Sequence, residues 1–84
     1  MWCVYMIKSS QKRWYYVGST NRLEQRLNEH NKGQVPSTIN YRPLKLVYTK
    51  EFESEKDARA YERKIKARRI EKETIIRNIE NSWK

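Results

Sequence analysis

The segment Trp2–Lys8, WCVYMIK, constrains this chain more than any other. It is rich in strand-forming types, and its apolar side chains occupy both parities. Trp2, Val4 and Met6 fall on one side, and Cys3, Tyr5 and Ile7 on the other. A strand that is apolar on both faces has to be covered on both faces. In a chain of 84 residues with 37% apolar types, that leaves material for one small core and no second one. One domain over residues 1–84 is therefore expected.

The elements around this strand follow from local signals. Polar SSQKR at 9–13 separates it from a second β-rich run, WYYVGS at 14–19, and the pair reads as a hairpin. NRLEQRLNEHNK at 21–32 reads as a helix, with Asn21 as N-cap, Glu24 completing a capping box and Gly33 as the stop. Leu23, Leu27 and His30 share its inner face. A loop holding Pro36 and Pro43 leads to a third strand over 44–52, where Leu44, Leu46 and Tyr48 alternate with Lys45, Val47 and Thr49. Ser54 with Asp57 caps a helix over about 55–67, with the stripe Ala58, Tyr61, Ile65. A last helix over about 70–81 places Ile75, Ile76, Ile79 and then Trp83 on one side. The order β-β-α-β-α-α predicts an α+β fold, a three-stranded, mostly antiparallel sheet flanked by helices.

Charge narrows the partner. Nineteen Lys and Arg against ten Asp and Glu give +9. Ten aromatic residues argue against the disorder that such charge would otherwise suggest. Nucleic acid is the leading anionic partner and a membrane surface the weaker one. The longest apolar run, Met1–Ile7, falls far short of the roughly 20 residues of a membrane span. It lacks the basic leader and cleavage site of a signal peptide, so a cytoplasmic protein without a membrane role is expected. One cysteine, Cys3, and one histidine, His30, exclude an internal disulfide framework, a cysteine zinc cluster and a histidine metal cage. A monomer is expected, with a weak dimer as the alternative.

Several residues fit a plain core poorly. Glu62 lies in the inward arc of its helix, where a carboxylate is costly unless paired or bound to a metal; the plain alternative is an edge position on water or a lysine. Arg26 flanks the stripe of the first helix, either as a phosphate clamp or as a snorkelling side chain. His30 sits in that stripe, and a satisfied half-buried histidine is its ordinary reading. Gly18 interrupts a β run, which marks a bulge or a close approach. Tyr5 and Tyr16 share a face with Gly18 if the hairpin loop is even in length, and split if it is odd. Together, two tyrosines, a glycine, an arginine, a histidine and one inward glutamate on a basic scaffold suit phosphodiester chemistry with one hard metal ion.

These residues carry a resemblance to the GIY-YIG endonucleases. Cys3-Val4-Tyr5 and Tyr16-Val17-Gly18 stand for the namesake pair, with cysteine replacing the first glycine. YVGSTNRLEQRLNEHNKG resembles the family's second strand and first helix, and RPLKLVYTKEFESEKDARAYERKIK its third strand and glutamate-bearing helix. The likeness runs over 2–67, is closest to small single-domain members, and weakens after Ile70. It implies a divalent-metal-dependent endonuclease acting on DNA, in repair or on branched forms, with RNA not separated from DNA by sequence. It implies Glu62 as ligand of one Mg²⁺ or Mn²⁺, Arg26 on the scissile phosphate, Tyr5 as general base or relay, and Tyr16 positioning water or phosphate. His30 would assist a tyrosine or contact phosphate, and Gly18 would leave room for the substrate backbone. A late asparagine near the metal has two counterparts here, Asn78 and Asn81. Ser37 and Thr38 would add a phosphate contact, and Arg63, Lys64, Lys66, Arg68 and Arg69 would follow the nucleic-acid backbone. Trp14 and Tyr41 read as rim packing before base stacking. The alternatives are a basic binding module that keeps the fold without chemistry, and a domain that meets an acidic protein.

Overall fold

The computed structural model describes residues 1–83. Its elements are β1 (Trp2–Ser9), β2 (Tyr15–Thr20), α1 (Leu23–Asn31), β3 (Leu44–Phe52), α2 (Glu55–Ala67) and α3 (Arg69–Asn81), with one 3₁₀ turn at Ile39–Tyr41. The order is the expected one. The sheet is antiparallel throughout, with strand order β2-β1-β3. The doubly apolar strand is the central one, and Cys3 to Ile7 are all buried.

Each face of β1 has its own cover. Val4 and Met6 join Tyr15 and Val17 of β2 against Ala58 and Ile65 of α2 and Ile76 and Ile79 of α3. Tyr5 and Ile7 pack with Leu44 on the opposite face, under Leu23 and Leu27 of α1. The expected alternation of β3 breaks in the middle. Met6 pairs with Tyr48 but Ile7 pairs with Leu46, so Val47 is an extra residue in the ladder. This bulge turns Val47 and Tyr48 to the α2 side together, while Leu44 and Leu46 stay on the α1 side.

Helix ends hold two corrections. The start of α1 is not capped by Asn21: the helix begins at Leu23 without a side-chain cap, and Thr20 Oγ1 accepts from the Arg22 amide at 3.0 Å instead. Trp83 does not extend the apolar stripe of α3, because the helix ends at Asn81 and Trp83 remains 53% exposed. The stop at Gly33 is as expected, with φ +82° and a Gln34 amide bond to Glu29 O at 3.0 Å. The Ser54 hydroxyl accepts from the Asp57 amide at 3.2 Å and caps α2.

Side-chain clamps tie the layers together. Asn31 brackets the start of β3, donating to Leu44 O at 3.0 Å and accepting from the Leu44 amide at 2.7 Å. Glu80 of α3 takes both Arg13 (2.9 and 3.1 Å) and the Tyr15 hydroxyl (2.7 Å), holding the hairpin to the last helix.

The packing separates two substitutions. Ile65→Ala removes a side chain 1% exposed and is expected to lower unfolding free energy by about 2–5 kcal/mol. Trp83→Ala is expected to stay within about 0.5 kcal/mol of wild type. Urea unfolding of both variants checks this, and a large loss on Trp83→Ala would overturn the account of α3.

Candidate active site

The hairpin loop sets the first half of the site. Lys8 pairs with Tyr15, and the Ser9 amide bonds Trp14 O at 3.0 Å, leaving four residues, 10–13, in the turn. An even loop puts Tyr5, Tyr16 and Gly18 on one face, with Tyr5 directly opposite Gly18. A Cβ at Gly18 would stand 2.5 Å from the Tyr5 oxygen and 2.7 Å from its ring. The missing side chain therefore makes room for the Tyr5 phenol, where the sequence suggested room for the substrate backbone.

The phenol leads into a buried hydrogen-bond chain. Tyr5 Oη lies 2.8 Å from His30 Nε2, and His30 Nδ1 lies 2.8 Å from Thr38 Oγ1. The Thr38 hydroxyl donates onward to Val35 O at 3.4 Å. Its single proton is thereby used, so its oxygen accepts from Nδ1–H, and Nε2 accepts from Tyr5. Tyr5, His30 and Thr38 are all essentially inaccessible to solvent. Thr38 is thus an orienter of His30 and not the phosphate contact expected of it, while its neighbour Ser37 is exposed. The Asn31 clamp, one residue on, fixes the end of α1 that carries His30.

Burial perturbs both members of this pair. It pushes the Tyr5 hydroxyl up to about 12, against the opposing pull of the nearby Arg26 guanidinium. It lowers His30 below its ordinary value, and the charge of Arg26 acts the same way. His30 is therefore held neutral in the tautomer that can receive a proton from Tyr5.

Tyr16 and Arg26 stand over this chain. Tyr16 is half-buried, with its ring centroid 6.5 Å from Tyr5 and 5.2 Å from His30. Arg26 is 38% exposed and pairs with Glu29 at 3.0 Å on its own helix. Outward from Tyr16, Trp14 and Tyr41 stack with centroids 3.7 Å apart, and Lys12 lies 5.5 Å from the Tyr41 centroid.

Glu62 arrives from the other layer, around the edge strand β2. Ser19, pointing to the α2 side, donates its hydroxyl to Glu62 Oε1, and Lys66 donates to Oε2 at 2.7 Å. Burial works to raise the Glu62 pKa, but Lys66 and Ser19 outweigh it and hold the carboxyl below its ordinary range. Lys66 also reaches 5.5 Å from the Tyr16 centroid, so its ammonium bridges the two halves of the site. The plain reading of Glu62, an edge carboxylate on a lysine, describes its partner correctly; that this lysine also reaches the Tyr16 ring is the additional fact.

The donor set suits one hard cation. Among the described residues no three His, Cys, Asp or Glu side chains cluster. The carboxylate of Glu62, 18% exposed, already accommodates a cationic group at one oxygen, and water and phosphate oxygens would complete the shell of a Mg²⁺ or Mn²⁺ ion. Asn78 does not reach this site: it lines a hollow with Tyr48, Ile75, Ile79 and Ser82.

The basic run of α2 is exposed but partly engaged. Lys64 and Arg68 approach Glu71 at 3.7 and 3.8 Å, and Lys66 is held by Glu62. Arg63 and Arg69 make no ion pair among the described residues. Sequence reasoning missed Ser19, whose strand parity opposite Gly18 was the available signal. It also missed the pairing of Lys66, which stands i+4 from Glu62.

The buried neutral histidine gives a pH signature. A folded pKa below the unfolded one contributes stability above the ordinary value of 6.5, lost as pH falls through and below it. The lowered carboxylates Glu29, Glu62 and Glu80 act in the same direction, but below their ordinary value of 4.5. The urea midpoint is expected to fall as pH drops from about 7 to 5, and this slope is expected to vanish in His30→Gln. An unchanged slope in that variant would overturn the assignment.

The family model of the GIY-YIG catalytic domain matches residues 1–73. The UPF0213 protein CPE1444 of Clostridium perfringens (strain 13 / Type A) is 39% identical over 64 residues, covering 75% of this chain and 68% of that one. The solution NMR structure of the UPF0213 protein BH0048 from Bacillus halodurans aligns with a TM-score of 0.56 at 28% identity, covering 90% of this chain and 83% of that one. By family match, relatives and fold, the chain belongs to the GIY-YIG family of nuclease domains.

Proposed function

We propose that the chain is a divalent-metal-dependent endonuclease that hydrolyses phosphodiester bonds in DNA, with damaged or branched forms the first substrates to try. The observation that carries the reading is the bridge that Lys66 makes at the edge of β2 between Glu62 of one layer and Tyr16 of the other, with the Tyr5–His30–Thr38 chain beside Tyr16 and Arg26 beside Tyr5.

The roles follow from geometry and ionisation. Arg26 exchanges Glu29 for the scissile phosphate, an exchange of low cost because a half-exposed pair is worth about 1 kcal/mol or less. With its pKa at about 12, Tyr5 is phenolate in roughly one molecule in 10⁵ at neutral pH, too few to act as a free base. It serves as a relay: the attacking water passes a proton to Tyr5 Oη as Tyr5 passes its own to His30 Nε2. The water oxygen bonds to phosphorus, the bond to the leaving oxygen breaks, and that oxygen takes a proton from solvent. Tyr16 orients water or phosphate. A Mg²⁺ or Mn²⁺ ion on Glu62 would supply charge stabilisation at the phosphate. Ser37, Arg63, Lys64, Arg68 and Arg69 supply the exposed contacts to the strand.

A second reading, a basic binding module without chemistry, is favoured by the closure of Tyr5 and by the engagement of both Glu62 oxygens. Cleavage assays on single-stranded, duplex and branched DNA with Mg²⁺ or Mn²⁺ separate the two. The nuclease reading expects Tyr5→Phe and His30→Gln to lose about 10²–10⁴-fold and Arg26→Ala about 10²–10³-fold. Its rate should decline as pH falls below the ordinary histidine value of 6.5, because neutral His30 is the working form. Wild-type cleavage by Glu62→Gln would refute the metal assignment. No cleavage, with binding that weakens steeply as salt rises, would establish the module.

A further inference from the structure

Lys66 touches both halves of the site. Its Nζ donates to Glu62 Oε2 at 2.7 Å and lies 5.5 Å from the Tyr16 ring centroid. The other Glu62 oxygen is held by Ser19, a short side chain fixed on β2. Lys66 is 47% exposed on a flexible four-carbon stem. The oxygen it holds is therefore the exchangeable one. Arg26 is parked in the same manner on Glu29. Without substrate, each of these cations rests on a carboxylate of its own helix.

A divalent ion on Glu62 and the Lys66 ammonium require the same oxygen. Two cations a few ångströms apart in a partly screened cleft repel enough to weaken ion binding by about tenfold. A phosphate beside Tyr16 changes the balance, because it offers Lys66 another anion within reach of its stem.

We propose that Lys66 couples divalent-ion loading to nucleic-acid binding: its ammonium occupies Glu62 until a substrate phosphate beside Tyr16 draws it away, and the freed oxygen then takes the ion. The inference rests on the nuclease reading and adds an order to it. Lys66 is a positioning residue, acting through Glu62. The protein alone holds the ion weakly, the strand strengthens that hold, and by linkage the ion strengthens strand binding by the same factor.

Mn²⁺ binding, read by the paramagnetic resonance of the free ion, tests this without using activity. The parent is Tyr5→Phe, which keeps Glu62, Ser19 and Lys66 while sparing the strand. It is compared with Lys66→Met and Lys66→Arg in the same background, with and without a short oligodeoxythymidylate, after subtracting Mn²⁺ held by the strand alone. Without strand, Lys66→Met is expected to bind Mn²⁺ about tenfold more tightly than the parent, with Lys66→Arg close to the parent. The gain in Mn²⁺ affinity on adding strand is expected to be about tenfold larger in the parent than in Lys66→Met. Equal Mn²⁺ affinities without strand, or equal gains with it, would overturn the coupling. So would Glu62→Gln binding Mn²⁺ as tightly as the parent. Failure of the nuclease reading is a separate result: the wild-type chain leaves every nucleic acid intact with Mn²⁺, whatever the titrations give.

Discussion

Burial of β1 on both faces organises the rest of the molecule. A strand has period two, so one strand serves two layers with alternate side chains. The parity that gives Val4 and Met6 to the helical layer of α2 and α3 gives Tyr5 to α1. The phenol is therefore delivered by the same constraint that builds the core. Because β2 is an edge strand, its neighbour layers can meet around it, and Ser19 and Tyr16 face opposite sides only a few residues apart. Lys66 spans that edge, from Glu62 on one side to the Tyr16 ring on the other.

Electrostatics give that rim its character. The buried pair Tyr5–His30 carries no charge at neutral pH, since burial raises one group and lowers the other. The charged groups Arg26, Glu29, Glu62 and Lys66 form an outer ring of partly exposed pairs. Such pairs are weak and exchange partners readily. A neutral hydrogen-bonded pair thus lies beneath a ring of partly exposed charges.

Much of this was legible in the residues. The bounds of β3 and α2 follow from alternation and from the Ser54 cap, which are local and strong. The shared face of Tyr5, Tyr16 and Gly18 reduced to the parity of one loop. Other features depend on partners distant in sequence. Thr38 sits in an irregular loop, where no period reveals that its hydroxyl meets His30. The extra residue at Val47 is a property of pairing, not of composition. Asn21 and Thr20 are both good capping types, but neither caps α1, and Thr20 at the end of β2 takes the Arg22 amide instead. Trp83 lies past the helix end, where the 3.6-residue period no longer governs direction.

The fit of Gly18 under Tyr5 has a consequence for the hairpin. The two namesake motifs, one on each hairpin strand, meet where the Tyr5 oxygen and ring edge fill the space a side chain at 18 would need. A larger residue at 18 would evict the phenol, so the two positions are sterically coupled across the hairpin. The hairpin pairing that builds the sheet thus also sets how much room the phenol has.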